Sequence, residues 1–239
     1  MERATAIDKA IDVLFLLRKT GQPSGVTDIA RGLSLPKSSA HRLLCTLTRR
    51  GMVERDGRGR YRLGFGLMFL GQGVPECEPL VMSARPELEA AAHALSETCF
   101  LVAARGGKLV VLDRVEGRGI LRASPEVGAV VPVDRTAVGQ LYLHHAPEQL
   151  DEQTVAPSEG EPRSELGAVD DEGYAYNFGQ WIEGVTVYSA PVWVHGRLVA
   201  AIAVAIPSSR VTDHGASGVV AQLKGAVARI ASRAEGATV

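Results

Sequence analysis

The chain has 239 residues, 46% of them apolar and 22% charged, which is the balance of an ordinary globular protein with room for two cores and no biased stretch that would keep it unfolded. No apolar run approaches the ~18 residues that span a bilayer, and the first residues lack a basic stretch leading into an apolar signal core, so the expectation is a cytoplasmic protein with no membrane partner. The net charge of −1 conceals a split: residues 1–62 hold 13 Lys/Arg against six Asp/Glu, so the N-terminal third suits a polyanionic partner and the acidic remainder does not.

Ile7, Ala10, Ile11, Leu14 and Leu17 recur at i, i+3, i+4 and i+7, predicting a first amphipathic helix that stops near Gly21 and Pro23. Val13, Phe15 and Leu16 widen its apolar surface enough for a partner subunit to cover part of it. Thr27 is the expected N-cap of a short second helix through Arg31, followed by a tight turn over residues 32–34. Pro36 then suits the first turn of a third helix, in which Ala40, Leu43, Leu44 and Leu47 form the buried stripe.

That stripe turns Lys37, Ser38, Ser39, His41, Arg42, Thr46 and Arg49 outward, a face of hydroxyls, one imidazole and cations with no carboxylate between Pro36 and Arg50. Such a face suits a major groove lined by acceptors and phosphates. Two short strands, residues 52–55 and 60–63, flank a turn rich in glycine, and Arg55, Arg58, Arg60 and Arg62 load the hairpin with positive charge. The order of helix, tight turn, carboxylate-free helix and basic hairpin reads as a winged helix-turn-helix whose wing clamps backbone phosphate. Double-stranded DNA is the expected partner, with Lys37, Ser38, Ser39, His41, Arg42, Arg55, Arg58 and Arg60 as its contacts. The plain alternative is a small helical domain whose cations only solvate its surface.

The string LPKSSAHRLL from Leu35 to Leu44, GMVERD from Gly51 to Asp56 and YRLG from Tyr61 to Gly64 resemble the IclR family of bacterial regulators. The likeness continues through PVDRTAVGQ at Pro132–Gln140, EGYA at Glu172–Ala175 and GVTVYSAPV at Gly184–Val192, and so covers nearly the whole chain. It implies an α+β fold: an N-terminal winged helix-turn-helix over residues 1–64, a linker helix and hinge over 65–78, and a GAF-like α/β effector domain with an antiparallel sheet over 79–239. It also implies a homodimer or dimer of dimers on a near-palindromic operator, and a repressor sooner than an activator.

After an apolar stretch broken by Gly71, Gly73 and Pro75, residues 79–98 read as another amphipathic helix. Strands are expected at Phe100–Ala104, Leu109–Arg114, Thr186–Val194 and Leu198–Ile206, the last two joined by a turn at His195 and Gly196, and a closing helix runs from Asp213 to Ala234. Residues 147–171 read as an acidic loop. In the last strand Leu198, Ala200, Ile202, Val204 and Ile206 alternate with Val199, Ala201, Ala203 and Ala205, leaving one face of mostly small residues that either accepts a closely packed helix or borders a cavity.

The resemblance favours the cavity and implies effector contacts at Ala137, Val138, Asn177, Val187, Ala203 and Ala205. The side chains at the last four lack charge, and three lack polarity, so a short, highly oxygenated acid has too few partners here. The expectation is a more apolar effector gripped by Asn177 and the backbone near Val138, with Arg135 either exposed or paired to an anionic group. The alternative is a C-terminal domain that only oligomerises.

No enzyme, metal or cofactor is expected. Cys45, Cys77 and Cys99 are odd in number and outside any CxxC or Cys/His spacing, which predicts small buried thiols. His144 and His145 have no third ligand nearby, the Gly106-Gly107 and Gly117-Arg118-Gly119 turns lack the setting of a phosphate loop, and Ser189 and Ser208 sit in no nucleophile elbow.

Overall fold

The computed structural model describes residues 5–119, 125–155, 169 and 173–236, and most of the acidic loop expected over 147–171 lies outside them. The chain forms two compact units, residues 1–74 and 75–239.

In the first unit, α1 (Ala6–Thr20) opens on a capping box. Thr5 and Asp8 each satisfy the other's backbone N–H, and Gly21 closes the helix with a φ of 62°. The buried residues of α1 are Val13 and Leu17, whereas Ile7 and Ile11 stay exposed. The predicted apolar stripe is therefore covered by its own domain only at its C-terminal half. Helix α2 (Val26–Gly32) starts one residue before the expected cap: Gly25 is the N-cap, and Thr27 already lies inside the helix. Leu35 bonds back to the Ala30 carbonyl (2.8 Å), which tightens the turn into α3 (Lys37–Arg49).

The wing pairs β1 (Val53–Arg55) with β2 (Tyr61–Leu63) in antiparallel register. Ser24 and Tyr61 exchange both backbone hydrogen bonds at 2.8 Å, adding a bridge that a two-strand reading does not anticipate. The glycine of the YRLG string has a steric reason. The Gly64 N–H donates to the Met52 carbonyl, and a Cβ at position 64 would collide with the Gly51 carbonyl. Helix α4 (Gly66–Cys77) runs on through Gly71, Gly73 and Pro75 instead of breaking there.

In the second unit, α5 (Pro79–Leu95) ends three residues before its predicted limit, because Ser96 takes a left-handed cap and the chain turns into β3 (Thr98–Arg105). Strands β4 (Lys108–Val115), β5 (Val130–Val131), β6 (Ala175–Phe178), β7 (Val185–Val194) and β8 (Arg197–Pro207) complete a six-stranded sheet, antiparallel throughout, in the order β5-β4-β3-β8-β7-β6. The four long strands fall where alternation predicts them, while β5 and β6 are too short to announce themselves. Both tight hairpins use paired left-handed residues, Gly106-Gly107 and His195-Gly196, whose twist matches that of the strands.

One face of the sheet packs against α5 and α9 (Ala216–Gly236), with Ala200, Ile202, Val204 and Ile206 in that core. The other packs against α6 (Ala137–His145), with Ala201, Ala203 and Ala205. Of the two expectations for the small-residue face, a helix does pack there, and it is α6. Leu198 joins this second core, opposite to its predicted side, because the β7–β8 register slips at Val192/Trp193 and Val199 becomes an extra residue. Short helices α7 (Glu152–Val155) and α8 (Val211–His214) lie outside the layers' main contacts, and Gly215 separates α8 from α9, so the closing helix begins at Ala216. Across the helical layer, buried Glu87 of α5 pairs with Arg229 and Arg233 of α9.

Candidate nucleic-acid interface and ligand cavity

Helix α3 buries Ala40 and Leu44 and half-buries Leu43 and Leu47, which fixes its outward face. Lys37, Ser38, His41, Arg42, Thr46 and Arg49 are exposed on it, as the 3.6-residue period requires. Ser39 is half-buried and, like Arg42 and Thr46 of the same helix, borders a groove of about 550 Å³ between α1 and α3 that Ile7, Ala10, Ile11 and Leu14 line from the other side. Lys37, Arg42 and Arg49 hold no ion pair among the described residues, so their charge is available to an outside anion.

Cys45 is the residue that the sequence reading misplaced. It is exposed, not buried, and at 100° per residue it stands between His41 and Ser38 on the outward face. Its thiol contacts the His41 imidazole at 3.7 Å, as i, i+4 neighbours do. The available signal was that same spacing, since positions 38, 41, 42, 45 and 49 form one stripe.

The wing sorts its four arginines. Asp56 accepts the backbone N–H groups of Arg58 (2.9 Å) and Arg60 (2.8 Å) and the Arg60 Nε (3.2 Å). These bonds, the Arg60 backbone bond first, hold the Asp56 carboxyl below its ordinary range. Arg62 is engaged by Glu54 at 3.0 Å, and Glu54 also receives the Phe65 N–H. Arg55 lies over the Tyr61 ring and donates to the Gly59 carbonyl. Arg58 is exposed and, among the described residues, without an ion pair.

In the second unit, the PVDRTAVGQ string builds a tight corner. Thr136 caps α6 by accepting from the Gly139 N–H (3.0 Å) and donates to the Pro132 carbonyl (2.6 Å). Gly139 packs so closely on Val133 that any Cβ would strike its backbone carbonyl. Arg135 turns its side chain to Asp134 at 3.4 Å and offers its carbonyl inward to Asn177 Nδ2 at 3.1 Å.

A small cavity of about 10 Å³ is bordered by Asn177, Val187 and Ala205, three of the six residues expected at an effector site. Phe100, Pro125, Trp181, Ile182 and Val185 complete its lining. Ala137, Val138 and Ala203 are buried in the α6-side core and are not among the lining residues. Sequence spacing missed the added five because they come from β3, two loops and the start of β7.

Several of the remaining polar groups have structural partners. Ser189 donates to the Ile202 carbonyl, and Thr186 shares a hydrogen bond with Ser208. Tyr142 is fully buried, its oxygen accepting from the Ala104 N–H, and desolvation pushes its hydroxyl up to about 12. His145 packs edge-on against Trp193, and burial lowers its pKa. Among the described residues no three His, Cys, Asp or Glu side chains cluster as a metal set would, and no helix is long and apolar enough to cross a membrane.

The family model for the IclR helix-turn-helix domain matches residues 6–57, and that for the bacterial transcriptional regulator IclR C-terminal region matches residues 76–232. The chain is similar to the HTH-type transcriptional regulator XynR of Escherichia coli strain K12, 28% identical over 222 residues, 87% of this chain and 88% of that one. The HTH-type transcriptional repressor AllR of the same strain is 25% identical over 224 residues, 88% of this chain and 83% of that one. Among solved structures, an IclR homolog from Microbacterium hydrocarbonoxydans complexed with 4-hydroxybenzoate aligns with a TM-score of 0.78 at 23% identity, covering 97% of this chain and all of the other.

Proposed function

The chain belongs to the IclR family of bacterial transcriptional regulators, and from that premise we propose that it is a cytoplasmic repressor whose grip on a near-palindromic operator is set by a small-molecule effector. It is a DNA-binding regulator and not an enzyme, as its relatives are. The observation that carries the DNA contact is the exposed, carboxylate-free face of α3, where Lys37, Arg42 and Arg49 stand unpaired among the described residues beside an equally unpaired Arg58 on the wing. Lys37, Ser38, His41 and Arg42 read the groove, and Arg58, supported by Arg55 and Arg60, holds phosphate. Ser39 lies at the edge of this set.

A dimer, or a dimer of dimers, places two such helices on the two operator halves. A second copy is a fitting cover for the exposed Ile7, Ile11 and Phe15 of α1. Residues 65–78, mostly α4, act as the hinge between reading residues 1–64 and sensing residues 79–239. The effector changes DNA affinity only by the difference in its own affinity for the two arrangements of the protein. The apolar lining around Asn177, Val187 and Ala205 favours an effector with an apolar body. The 4-hydroxybenzoate held by the similar Microbacterium protein supports a small-molecule role, and the name of AllR supports repression.

The test is a footprint on genomic fragments, repeated with a metabolite panel. Protected near-palindromic half-sites that are released by one class of compound are the expected result. The small size of the cavity favours one other reading, in which the C-terminal domain only oligomerises. Thermal shift across the same panel separates the two, because an oligomerisation domain responds to none of it.

A further inference from the structure

The cavity contains one polar side chain whose hydrogen bonding is half complete. Asn177 is 2% exposed. Its Nδ2 donates to the Arg135 carbonyl at 3.1 Å, while its Oδ1 is buried without a partner among the described residues. The two ends of the amide are not interchangeable here. Turned over, Asn177 would set its own oxygen against the Arg135 carbonyl, two acceptors face to face, and the existing bond would be lost. The atom left for a ligand is therefore an amide oxygen, which accepts and cannot donate.

Among the described residues the rest of the lining offers no competing side-chain acceptor or cation: Phe100, Pro125, Trp181, Ile182, Val185, Val187 and Ala205 are apolar or nearly so. From this pairing of one fixed acceptor with an apolar wall we propose that the effector is a compact apolar molecule carrying a neutral hydroxyl or N–H that donates to Asn177 Oδ1. A carboxylate at the same point would bring an anion against an acceptor with no cation among the described lining residues to offset it. The proposal rests on the effector reading above and narrows it from apolar bodies in general to hydrogen-bond donors. At about 10 Å³ the cavity must widen to admit any organic molecule. The widening falls on Trp181 and Ile182, which are half-buried on the turn between β6 and β7 instead of being fixed in a strand.

The test uses the full chain and matched compounds that differ only in the donor: phenol against anisole, benzyl alcohol against benzyl methyl ether, and indole against N-methylindole, with benzoate as the anionic control. Isothermal titration should give the donor of each pair an affinity higher by about tenfold, the order expected when a buried acceptor is otherwise left unpaired. Asn177→Leu should bring each pair level. The comparison within pairs needs no variant, so it stands even if Asn177→Leu folds poorly. Equal binding within pairs, or benzoate binding as well as phenol, overturns the donor rule and leaves the effector reading intact. Binding of none of these compounds at millimolar concentration overturns both for this cavity.

Discussion

Asp56 holds Arg60 twice, through the backbone N–H at 2.8 Å and through the guanidinium Nε at 3.2 Å. The wing turn is thereby built on a carboxylate that occupies one of the arginines expected to meet DNA, while Arg58, whose backbone N–H Asp56 holds, has no side-chain ion pair among the described residues.

Arg58→Ala should therefore weaken binding to all DNA sequences alike and reduce the slope of log affinity against log salt by about one. Arg60→Ala should have a smaller effect on that slope, since its charge is already met by Asp56. Binding isotherms at several salt concentrations, on operator and random DNA, check both.

Arg42 stands on the outward face of α3, with Thr46 Oγ1 donating to its carbonyl at 3.1 Å. Arg42→Ala should cost roughly 1–3 kcal/mol on the best operator and relax selectivity at one base position. Selection of bound sequences from a randomised pool measures this, and an unchanged consensus would mean that Arg42 meets only phosphate.

Cys45 and Cys99 should differ sharply toward a small thiol reagent. Cys99 is fully buried and its thiol is pushed up to about 12 by desolvation, first, and by Glu97, so it should stay unmodified in the folded protein. Cys45 is exposed and should react, and a methylthio cap there should weaken operator binding that Cys45→Ser retains. Peptide mapping by mass spectrometry, paired with gel shifts, reads both outcomes.

Gly139→Ala should destabilise the C-terminal unit by about 1–3 kcal/mol or more, because the added methyl meets the Val133 carbonyl and not a side chain that can rotate away. Thr136→Ala should cost about 1 kcal/mol through loss of the cap. Denaturant unfolding of each variant gives the values, and the order Gly139 above Thr136 is the part that tests the packing.

Much of the candidate DNA-binding face is legible in the sequence because helical period and charge are local. Ala40 and Leu44 point inward and Lys37, Arg42 and Arg49 outward by geometry that three or four turns of chain fix alone. Cys45 is exposed because its place in the same period, and not its residue type, sets which way it faces. Ile7 and Ile11 follow the predicted period, but the small domain covers only the stretch of α1 around Val13 and Leu17.

The cavity was less legible. Asn177, Val187 and Ala205 could be placed by resemblance, but β6 has four residues and no long alternation, so nothing local announced that Asn177 would stand beside Arg135, 42 positions earlier. Phe100, Pro125, Trp181 and Ile182 meet there only because β3, β8, β7 and β6 lie side by side in that order. Leu198 changed face through a single extra residue, which reverses side-chain alternation beyond it.

The sequence by itself determined the basic N-terminal third, the outward face of the third helix, the four long strands and the family. These depend on composition and on periods of two and 3.6 residues, which neighbouring residues set among themselves. Only the tertiary structure decided which wing arginines lack an ion pair among the described residues, which thiol is exposed, and which end of the Asn177 amide is left without a partner among those residues. Each of those depends on a partner brought close by folding, and a hydrogen bond is settled by distances of about 3 Å that spacing along a chain does not carry.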